Sequence, residues 1–427
     1  MLKNLCLLPV IALLFTYSQA LCQTGNSPFT SQGIGDIVDL GLTHNQGMGG
    51  TGISNGSFWF LNNINPALLP YNSFTTFSAG FVGENKTLEN AETSEKNGSG
   101  NLGYLVTAFP IKPGRLTTSV GLMPYSNVGY ESESLVNIPN APNGEQALRV
   151  VEGSGGFNQF FWSNGYAINK RFFVGLKAAY IFGNIKKDES FVLPTVSNFT
   201  SGFNQRLSTS DFIFTGGIAY NKDSIFNNRI QFKAGLTYDF GSKLNAKNFS
   251  RLELRTADIP IDGDTLNRND AGSLSIPHAI GVGFSLNNGF KWTVALDVKY
   301  QPWSDYRNFA GGNDDLGDQV RIGFGGEFTP DPSSVTSYLK RITYRVGLAY
   351  ENTPYQIVGP DGSFTQVNDF GINLGWTLPI SRVSNLDFAL QYGTRGNVDD
   401  TLIQEQYLNF YFGVTINDQP FKKRKYY

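Results

Sequence analysis

The chain has 427 residues, and its 33 Lys and Arg nearly balance its 35 Asp and Glu, which gives a net charge of -2. This balance argues against nucleic acid as a partner, because such proteins carry a basic surface. Only 16% of the residues are charged, whereas 14% are aromatic and 48 residues are glycine. A soluble domain has about 25% charged residues, so the composition favours an outer-membrane β-barrel instead.

Residues 1–23 have the features of a secretory signal peptide, with a lysine, an apolar run and then small and polar residues. Cleavage after Ala20, Cys22 or Gln23 fits this pattern, and the sequence does not choose among the three. A lipoprotein signal that ends at Cys22 is the alternative. It is disfavoured because bulky Leu21 stands where such a signal has a small residue.

The mature chain is predicted to lack disulfides, metal sites and cofactors. The full sequence has two cysteines, Cys6 and Cys22, and both lie in the leader region, so the mature chain keeps at most one. The acidic stretches at 262–270 and 314–318 resemble calcium loops but miss the required ligand spacing, so solvated external loops are expected there. After the leader, no apolar run approaches the roughly 18 residues that a membrane helix needs.

Apolar residues alternate with polar or small residues through most of the remaining chain, and this period of two predicts β-strands. In "RFFVGLKAAYIFG", Phe172, Val174 and Leu176 fall on one face, with Phe173 and Lys177 on the other. In a membrane barrel the apolar face contacts lipid, and the polar or small residues fill the lumen.

About fourteen such strands are predicted, an even number as closure requires, and one of them runs from Arg229 to Phe249. Short and long connections alternate between them, with the moderately long "TPDPSSVTSYLK" on the short side as the one exception. Long external loops are expected after Asn85, from Tyr125 to Gly156 and from Lys186 to Thr209.

The predicted organisation is an all-β transmembrane antiparallel barrel over residues 72–417, with an N-terminal plug, or hatch, in its lumen. A barrel of this size would enclose space that side chains alone do not fill. The glycine-rich residues 24–71, with scattered apolar side chains, are the predicted plug. A basic tail, 418–427, follows the last strand. Both termini are expected on the periplasmic side of a Gram-negative outer membrane.

Two glycine patterns in the plug region resemble motifs of enzymes. "GMGGTG" at 47–52 matches G-x-G-x-x-G, and "GISNG" at 52–56 matches G-x-S-x-G. A dinucleotide loop must follow a buried strand and open a helix, and a nucleophile elbow needs a doubly wound sheet with a downstream histidine. Neither context is present. The glycines are therefore interpreted as a tightly folded plug backbone, and no enzyme activity is predicted.

The run "QGMGGTGISNGSFWFLNNINPALL" resembles the hatch of the FadL/TodX family of outer-membrane transporters, in which a Gly-rich start precedes an Asn-Pro-Ala motif. Asn65, Pro66 and Ala67 carry that motif here. Later stretches, including "ALDVKYQPWSDY" with Trp303 and Ser304, also resemble the family. The resemblance implies passive uptake of hydrophobic small molecules such as long-chain fatty acids or aromatic hydrocarbons. Membrane lipids and lipopolysaccharide are the implied surroundings.

Two sets of side chains are the candidate contacts of such a ligand. One lies in the plug and the other in the stretch "MPYSNVGYESES", the expected external lid, which is more polar than a capture groove for apolar solutes. The residues are Phe58, Trp59, Phe60, Leu61, Met123, Tyr125, Val128 and Tyr130.

The predicted lumen face carries charges of both signs. Such charges at membrane depth usually pair with one another, and here also with the plug; contact with a ligand is the alternative. The candidate network is Lys177, Lys233, Asp239, Asp297, Lys299, Arg345, Asp369 and Arg395, with Arg321, Glu327 and Asp387 on the same face.

The polar lid and the basic tail favour a second hypothesis. In this alternative the chain is a FadL-like barrel without transport, which serves as a structural or accessory subunit of an outer-membrane protein secretion or assembly machine. The type 9 protein translocon contains a barrel of the FadL type in such a role. The intact Asn-Pro-Ala motif and the Gly-rich plug favour transport, so both hypotheses stay open at this stage.

Overall fold

The computed structural model describes residues 27–138, 145–192, 199–225, 230–256, 259–289, 291–358, 362–381, 383–401 and 403–418. The predicted signal peptide and residues 419–427 of the basic tail lie outside this part of the chain. Within it, no helix has the length and apolar character to cross a bilayer.

Strands dominate the structure. They are β1 (Asp36–Ile37), β2 (Thr75–Glu89), β3 (Ser94–Lys112), β4 (Leu116–Pro124), β5 (Ser126–Asn137), β6 (Gln146–Ala167), β7 (Phe172–Val192), β8 (Phe199–Ile225), β9 (Ile230–Asp239), β10 (Ser242–Thr256), β11 (Ile259–Ile276), β12 (Ala279–Asn288), β13 (Trp292–Gln301), β14 (Gln319–Phe328), β15 (Thr343–Val358), β16 (Phe364–Pro379), β17 (Asn385–Gly396) and β18 (Gln404–Asp418). Short helices are α1 (Thr43–Gln46) and α2 (Val398–Thr401), with 3₁₀ turns at Pro28–Ser31, Pro66–Tyr71, Trp303–Asp305 and Leu339–Arg341.

Fourteen of these strands form a closed antiparallel barrel, as predicted: β2–β4, β6–β9 and β12–β18. The last strand, β18, pairs with the first, β2, from Gln404 opposite Glu89 to Asp418 opposite Thr75, and this ladder closes the cylinder. Closure satisfies the backbone hydrogen bonds of every wall strand within the bilayer, where water cannot do so.

The predicted separation of faces is confirmed on the wall. Leu176 is 53% exposed on the outer surface, while its neighbours Phe173 and Lys177 are buried in the lumen. Strands β13 and β14 have 10 residues each. That length just spans the apolar core, which takes about 9–11 tilted residues.

The two rims of the barrel differ. One, the turn rim, has the short connections at residues 113–115, 168–171 and 289–291, and β18 ends there at Asp418. The other, the loop rim, carries strands that continue far beyond the membrane span, since β6 has 22 residues and β8 has 27. At about 3.3 Å per residue, ten extra residues add roughly 30 Å along a strand.

The prediction of three long external loops is therefore wrong in part. The stretches after Asn85, from Tyr125 to Gly156 and from Lys186 to Thr209, are largely strand, because β2, β3 and the β5–β6 and β7–β8 pairs continue through them. Above the bilayer both faces of a sheet are wet, so the apolar alternation disappears although the backbone ladder persists.

Other stretches differ from expectation in the same region. The acidic stretch with Asp262, Asp264 and Asp270 lies in β11, which pairs with β10, rather than in a loop. The single strand expected from Arg229 to Phe249 is interrupted at residues 240–241, after which β10 continues along β8, with Ala246 opposite Thr209.

The N-terminal segment runs through the lumen from one rim to the other. We call it the plug segment (Ser27–Phe74). Its first residue donates a backbone hydrogen bond to Gly129 of β5 at the loop rim (2.7 Å). Its last residues lead into β2 at the turn rim. The first and last described residues, Ser27 and Asp418, therefore lie at opposite rims, and the periplasmic location of both chain ends stays a prediction.

Candidate functional site

The plug segment contacts the wall backbone to backbone, and these contacts define two glycine seats. The first seat is formed by β14, β15 and β16. A Cβ on Gly347 would lie 2.2 Å from the backbone nitrogen of Gly49, and a Cβ on Gly325 would lie 2.3 Å from the carbonyl oxygen of Met48. No side chain fits into such spacing, so glycine is required on the wall.

The second seat lies across the lumen and holds the Asn-Pro-Ala motif. A Cβ on Gly175 would lie 2.3 Å from the carbonyl carbon of Pro66, and one on Gly217 would lie 2.2 Å from Oδ1 of Asn65. Asn65 and Ala67 are completely buried. The motif thus lies directly against the inner faces of β7 and β8.

Asn65 fixes the local backbone in three ways. Its side-chain oxygen accepts a hydrogen bond from the backbone N–H of Ala67 (3.0 Å), which caps the 3₁₀ turn that starts at Pro66. Its side-chain nitrogen donates to the carbonyl oxygens of Ile53 (2.8 Å) and Ile218 (3.2 Å). The motif is therefore tied both to an earlier part of the plug segment and to the barrel wall.

The plug segment has only two carboxylates, Asp36 and Asp39, and each binds an arginine of the wall. Asp36 forms an ion pair with Arg395 (2.9 Å), and Asp39 forms one with Arg321 (2.7 Å). Neither aspartate was singled out from the sequence. The signal that could have found them is their isolation in a nearly uncharged segment, set against arginines predicted to face the lumen.

The predicted charged residues fall into different environments. Arg395 also pairs with Asp369 (2.9 Å), so that it joins the wall to the plug segment. Asp297 accepts hydrogen bonds from the backbone N–H groups of Gly52 and Ile53 (2.6 and 2.7 Å). These three charges contact the plug segment directly or through one neighbour.

Other members of the predicted network behave differently. Asp239 and Lys299 pair with each other across the wall (2.9 Å). Lys177 is buried near the ring of Phe161, with 5.9 Å between its Nζ and the ring centre. Lys233 donates to the carbonyl oxygen of Gly56 (2.7 Å).

Arg345 is buried next to the plug segment. It pairs with Glu327 (3.1 Å) and lies over the ring of Phe60, with 5.0 Å between the guanidinium carbon and the ring centre. The hydroxyl of Thr377 accepts a further hydrogen bond from this guanidinium (2.5 Å) and itself donates to the carboxylate of Asp387.

The plug segment leaves one large cavity towards each rim. The loop-side cavity has about 740 Å³ and is lined mainly by polar side chains, among them Asp36, Lys86 and Arg395. The turn-side cavity has about 510 Å³ and includes Phe58 and Lys233 in its wall. A smaller space of about 130 Å³ lies between the plug segment and the wall.

The candidate ligand contacts are not brought together in one of these cavities. Phe58, Trp59 and Phe60 line the turn-side cavity. Met123 lines the loop-side cavity, and Tyr125 lines the small space. The others pack elsewhere: Leu61 and Val128 are buried, and the Tyr130 ring covers Gly153.

The fold and the lumen define a class: a fourteen-stranded outer-membrane β-barrel of the FadL type, with its N-terminal segment inside. Solved structures share this fold at low sequence identity. The toluene transporter TodX of Pseudomonas putida matches with a TM-score of 0.57 at 15% identity, over 90% of this chain and 100% of that one. A FadL homologue of Pseudomonas aeruginosa gives 0.57 at 14%, over 89% and 99%.

The CymD monoaromatic hydrocarbon channel matches with a TM-score of 0.53 at 14% identity, over 90% of this chain and 99% of that one. No curated protein matches the chain. The BamG family model matches residues 1–427, and the chain belongs to the BamG family. The FadL-type resemblance therefore describes the fold, while the family is BamG.

The glycine seats predict the effect of a single methyl group. We expect Gly347→Ala to push Gly49 and Met48 off the wall, because the added Cβ would overlap their backbone atoms. The displaced plug segment should raise the conductance of the purified barrel in planar bilayers. Gly326→Ala in β14 is the control, because its Cβ would meet nothing closer than 3.4 Å. Equal conductance for the two variants would contradict the role of the seat.

The Asp36–Arg395 pair predicts a stability effect. Because two half-buried carboxylates, Asp36 and Asp369, would lose their cation, Arg395→Gln should lower the free energy of unfolding by about 3 kcal/mol, the lower end of the range for buried pairs. Denaturant titration in detergent micelles measures this value. Lys243→Gln, at an exposed position of β10, is the control. Additive losses for Asp36→Asn and Arg395→Gln in a double-mutant cycle would show that the two groups are not coupled.

Proposed function

We propose that this chain is an accessory barrel subunit of an outer-membrane protein assembly machine. The observation that carries the proposal is a lumen closed by a plug segment seated on both sides of the wall. Membership of the BamG family supports it, because that name points to the β-barrel assembly machine. In this function the barrel contributes its outer surface and its rims, and the lumen need not conduct.

The contacts of the plug segment favour a fixed structure over a gate. Both glycine seats remove the space into which the backbone could shift, and the Asp36–Arg395 and Asp39–Arg321 pairs bind the segment to strands β17 and β14 on the side of the first seat. Opening the lumen would separate these half-buried charges from their partners at once. Such separation is unfavourable, because each charge would be left without its partner at the cavity wall.

The orientation is part of the proposal. Outer-membrane barrels have short turns on the periplasmic side and longer external connections. The turn rim is therefore assigned to the periplasm, and the tall sheet at the loop rim to the cell exterior. The C-terminal end of β18 then faces the periplasm, and the start of the plug segment faces outwards.

A channel for hydrophobic compounds is the second candidate function. It is favoured by the fold shared with TodX and CymD and by the aromatic group Phe58, Trp59 and Phe74, whose ring centres lie 5.0 to 5.9 Å apart. Against it, the loop-side cavity places charged side chains such as Asp36 and Arg395 beside its apolar ones, and an apolar solute would have to desolvate those charges.

Native purification from outer membranes in mild detergent tests the first candidate. We expect a stoichiometric large outer-membrane protein to copurify, identified by mass spectrometry, with no apolar molecule in the lumen. The same sample should be analysed for bound lipids. A lone barrel that carries a fatty acid or an aromatic hydrocarbon would overturn the proposal and support the channel.

Replacing Pro66 tests the channel. If Asn65–Ala67 is a moving hatch, Pro66→Ala should change the uptake rate of radiolabelled fatty acid or toluene by intact cells, because alanine frees the backbone that proline restricts. We expect uptake equal to that of wild-type cells and of cells with Pro260→Ala, an exposed position of β11. A specific change with Pro66→Ala would revive the hatch.

A further inference from the structure

The turn-side cavity combines aromatic rings with cations in a way that the closed lumen does not require. Phe58 is 38% exposed at this cavity, although it belongs to a segment that is otherwise mostly buried. Trp59 and Tyr71 line the same space. A plug that served only to fill the barrel would gain by turning these rings inwards, since exposing an apolar ring to water is unfavourable.

Three cations line the same cavity: Lys233, Lys291 and Arg341. Among the ion pairs of the described residues, none involves these three side chains. Lys233 bonds to the Gly56 carbonyl and lies over the ring of Tyr71, and Arg341 lies over the ring of Tyr338. Among the described lining residues Glu327 is the one carboxylate, and it is already engaged by Arg345, while Asp223 lies next to the lining and is bonded to Asn221. The cavity therefore has an excess of positive charge.

The third feature of the turn-side cavity is a buried side-chain amide. Asn221 lines the cavity, is 8% exposed, and donates through Nδ2 to Asp223 (3.2 Å). Its side-chain oxygen has no hydrogen-bond partner among the described residues. A buried acceptor without a donor is unfavourable by about 1–3 kcal/mol. An incoming ligand with an N–H group would satisfy it.

The exposed rings, the cations and the unpaired amide oxygen of the turn-side cavity together suit one class of ligand. Rings that contact an apolar or aromatic side chain, cations that bind a carboxylate, and an amide oxygen that accepts an N–H all suit a polypeptide. A lipid phosphate carries no N–H and no aromatic ring, and the cavity lies between the plug segment and the wall, where an acyl chain would have to leave the bilayer. A volume of about 510 Å³ accommodates a few residues.

We propose that the turn-side cavity binds an extended peptide segment that carries an aromatic side chain next to a carboxylate group. Strands of barrel proteins supply the aromatic part of such a segment, as Phe410 and Phe412 of β18 illustrate in this chain. The likeness points to an unfolded strand of another outer-membrane protein as the occupant. This inference deepens the proposed function and rests on it for the source of the peptide.

Binding is measured on the whole purified chain in phosphatidylcholine nanodiscs. The probe is a fluorescein-labelled peptide of about ten residues, the length of a membrane strand, with alternating polar and apolar side chains, a C-terminal Phe and a free carboxylate. Its C-terminal amide and a version ending in Ala are the matched probes. We expect saturable anisotropy for the acid, and affinity about tenfold weaker for the amide, because charge-assisted hydrogen bonds are lost.

Two variants locate the site. The double variant Lys291→Gln with Arg341→Gln should weaken the acid peptide about tenfold and leave the amide peptide unchanged, because it removes only the charge contacts. Phe58→Ala should weaken the Phe-ended peptide more than the Ala-ended one. The control is Lys243→Gln with Lys247→Gln, two exposed lysines of β10 at the opposite rim. Resistance of unheated samples to sodium dodecyl sulfate verifies that each barrel is folded.

Several results would contradict peptide binding in the turn-side cavity. They are absence of binding, equal affinity for acid and amide, or loss of binding in the control variant alone. Displacement by inorganic phosphate or by phosphatidylglycerol vesicles as readily as by unlabelled peptide would indicate a general anion site and would also overturn it. Peptide binding without a copurifying machine would leave the site standing and reject the proposed function. A stoichiometric partner without peptide binding would do the reverse.

Discussion

The structure depends on close contact between the backbone of the plug segment and the backbone of the barrel wall, on the inner face of that wall. At Gly347 and Gly175 the plug segment lies so near the wall that a Cβ would overlap its atoms at 2.2 and 2.3 Å. Glycine within a strand weakens it by roughly 0.5–1 kcal/mol, because the unfolded chain loses more freedom. The wall has such glycines on two opposite sides, in β15 and in β7, and loses this stability at both. In return, plug residues such as Met48 and Leu68 become completely buried, and their burial offsets the cost.

The ion pairs follow from these seats. Once the backbone is fixed, the positions of Asp36 and Asp39 are fixed too, and Arg395 and Arg321 meet them at 2.9 and 2.7 Å. Charges in such a place seldom add net stability, but each becomes costly when its partner leaves. Partial withdrawal of the plug segment therefore raises the free energy by more than the ion pairs lower it in the closed state. A gate would need the opposite balance, with two arrangements of similar free energy.

Much of the fold could be predicted because the bilayer imposes a rule on each strand separately. The alternation around Leu176 and Lys177 identifies a lipid face and a lumen face from local sequence alone. Beyond the bilayer this rule ends, which is why β5, β11 and the upper part of β8 were expected as loops. The path of the plug segment could not be predicted either. It depends on contacts such as that between Asp36 and Arg395, which lie 359 positions apart.

The Asn-Pro-Ala motif shows the same limit at the scale of a site. Its sequence is recognisable, and the cap that Asn65 provides for the turn at Pro66 is local. What the motif does is decided by Gly175 and Gly217, two residues of distant strands that bring the wall against it. A similar motif on a wall with bulkier residues would stand away from the barrel and be free to move. The motif alone therefore does not distinguish a hatch from an anchor, and in this chain the wall glycines favour the anchor. If the lumen stays closed, recognition of other molecules must take place at the outer surface or at the rims, where exposed side chains such as Phe58 lie.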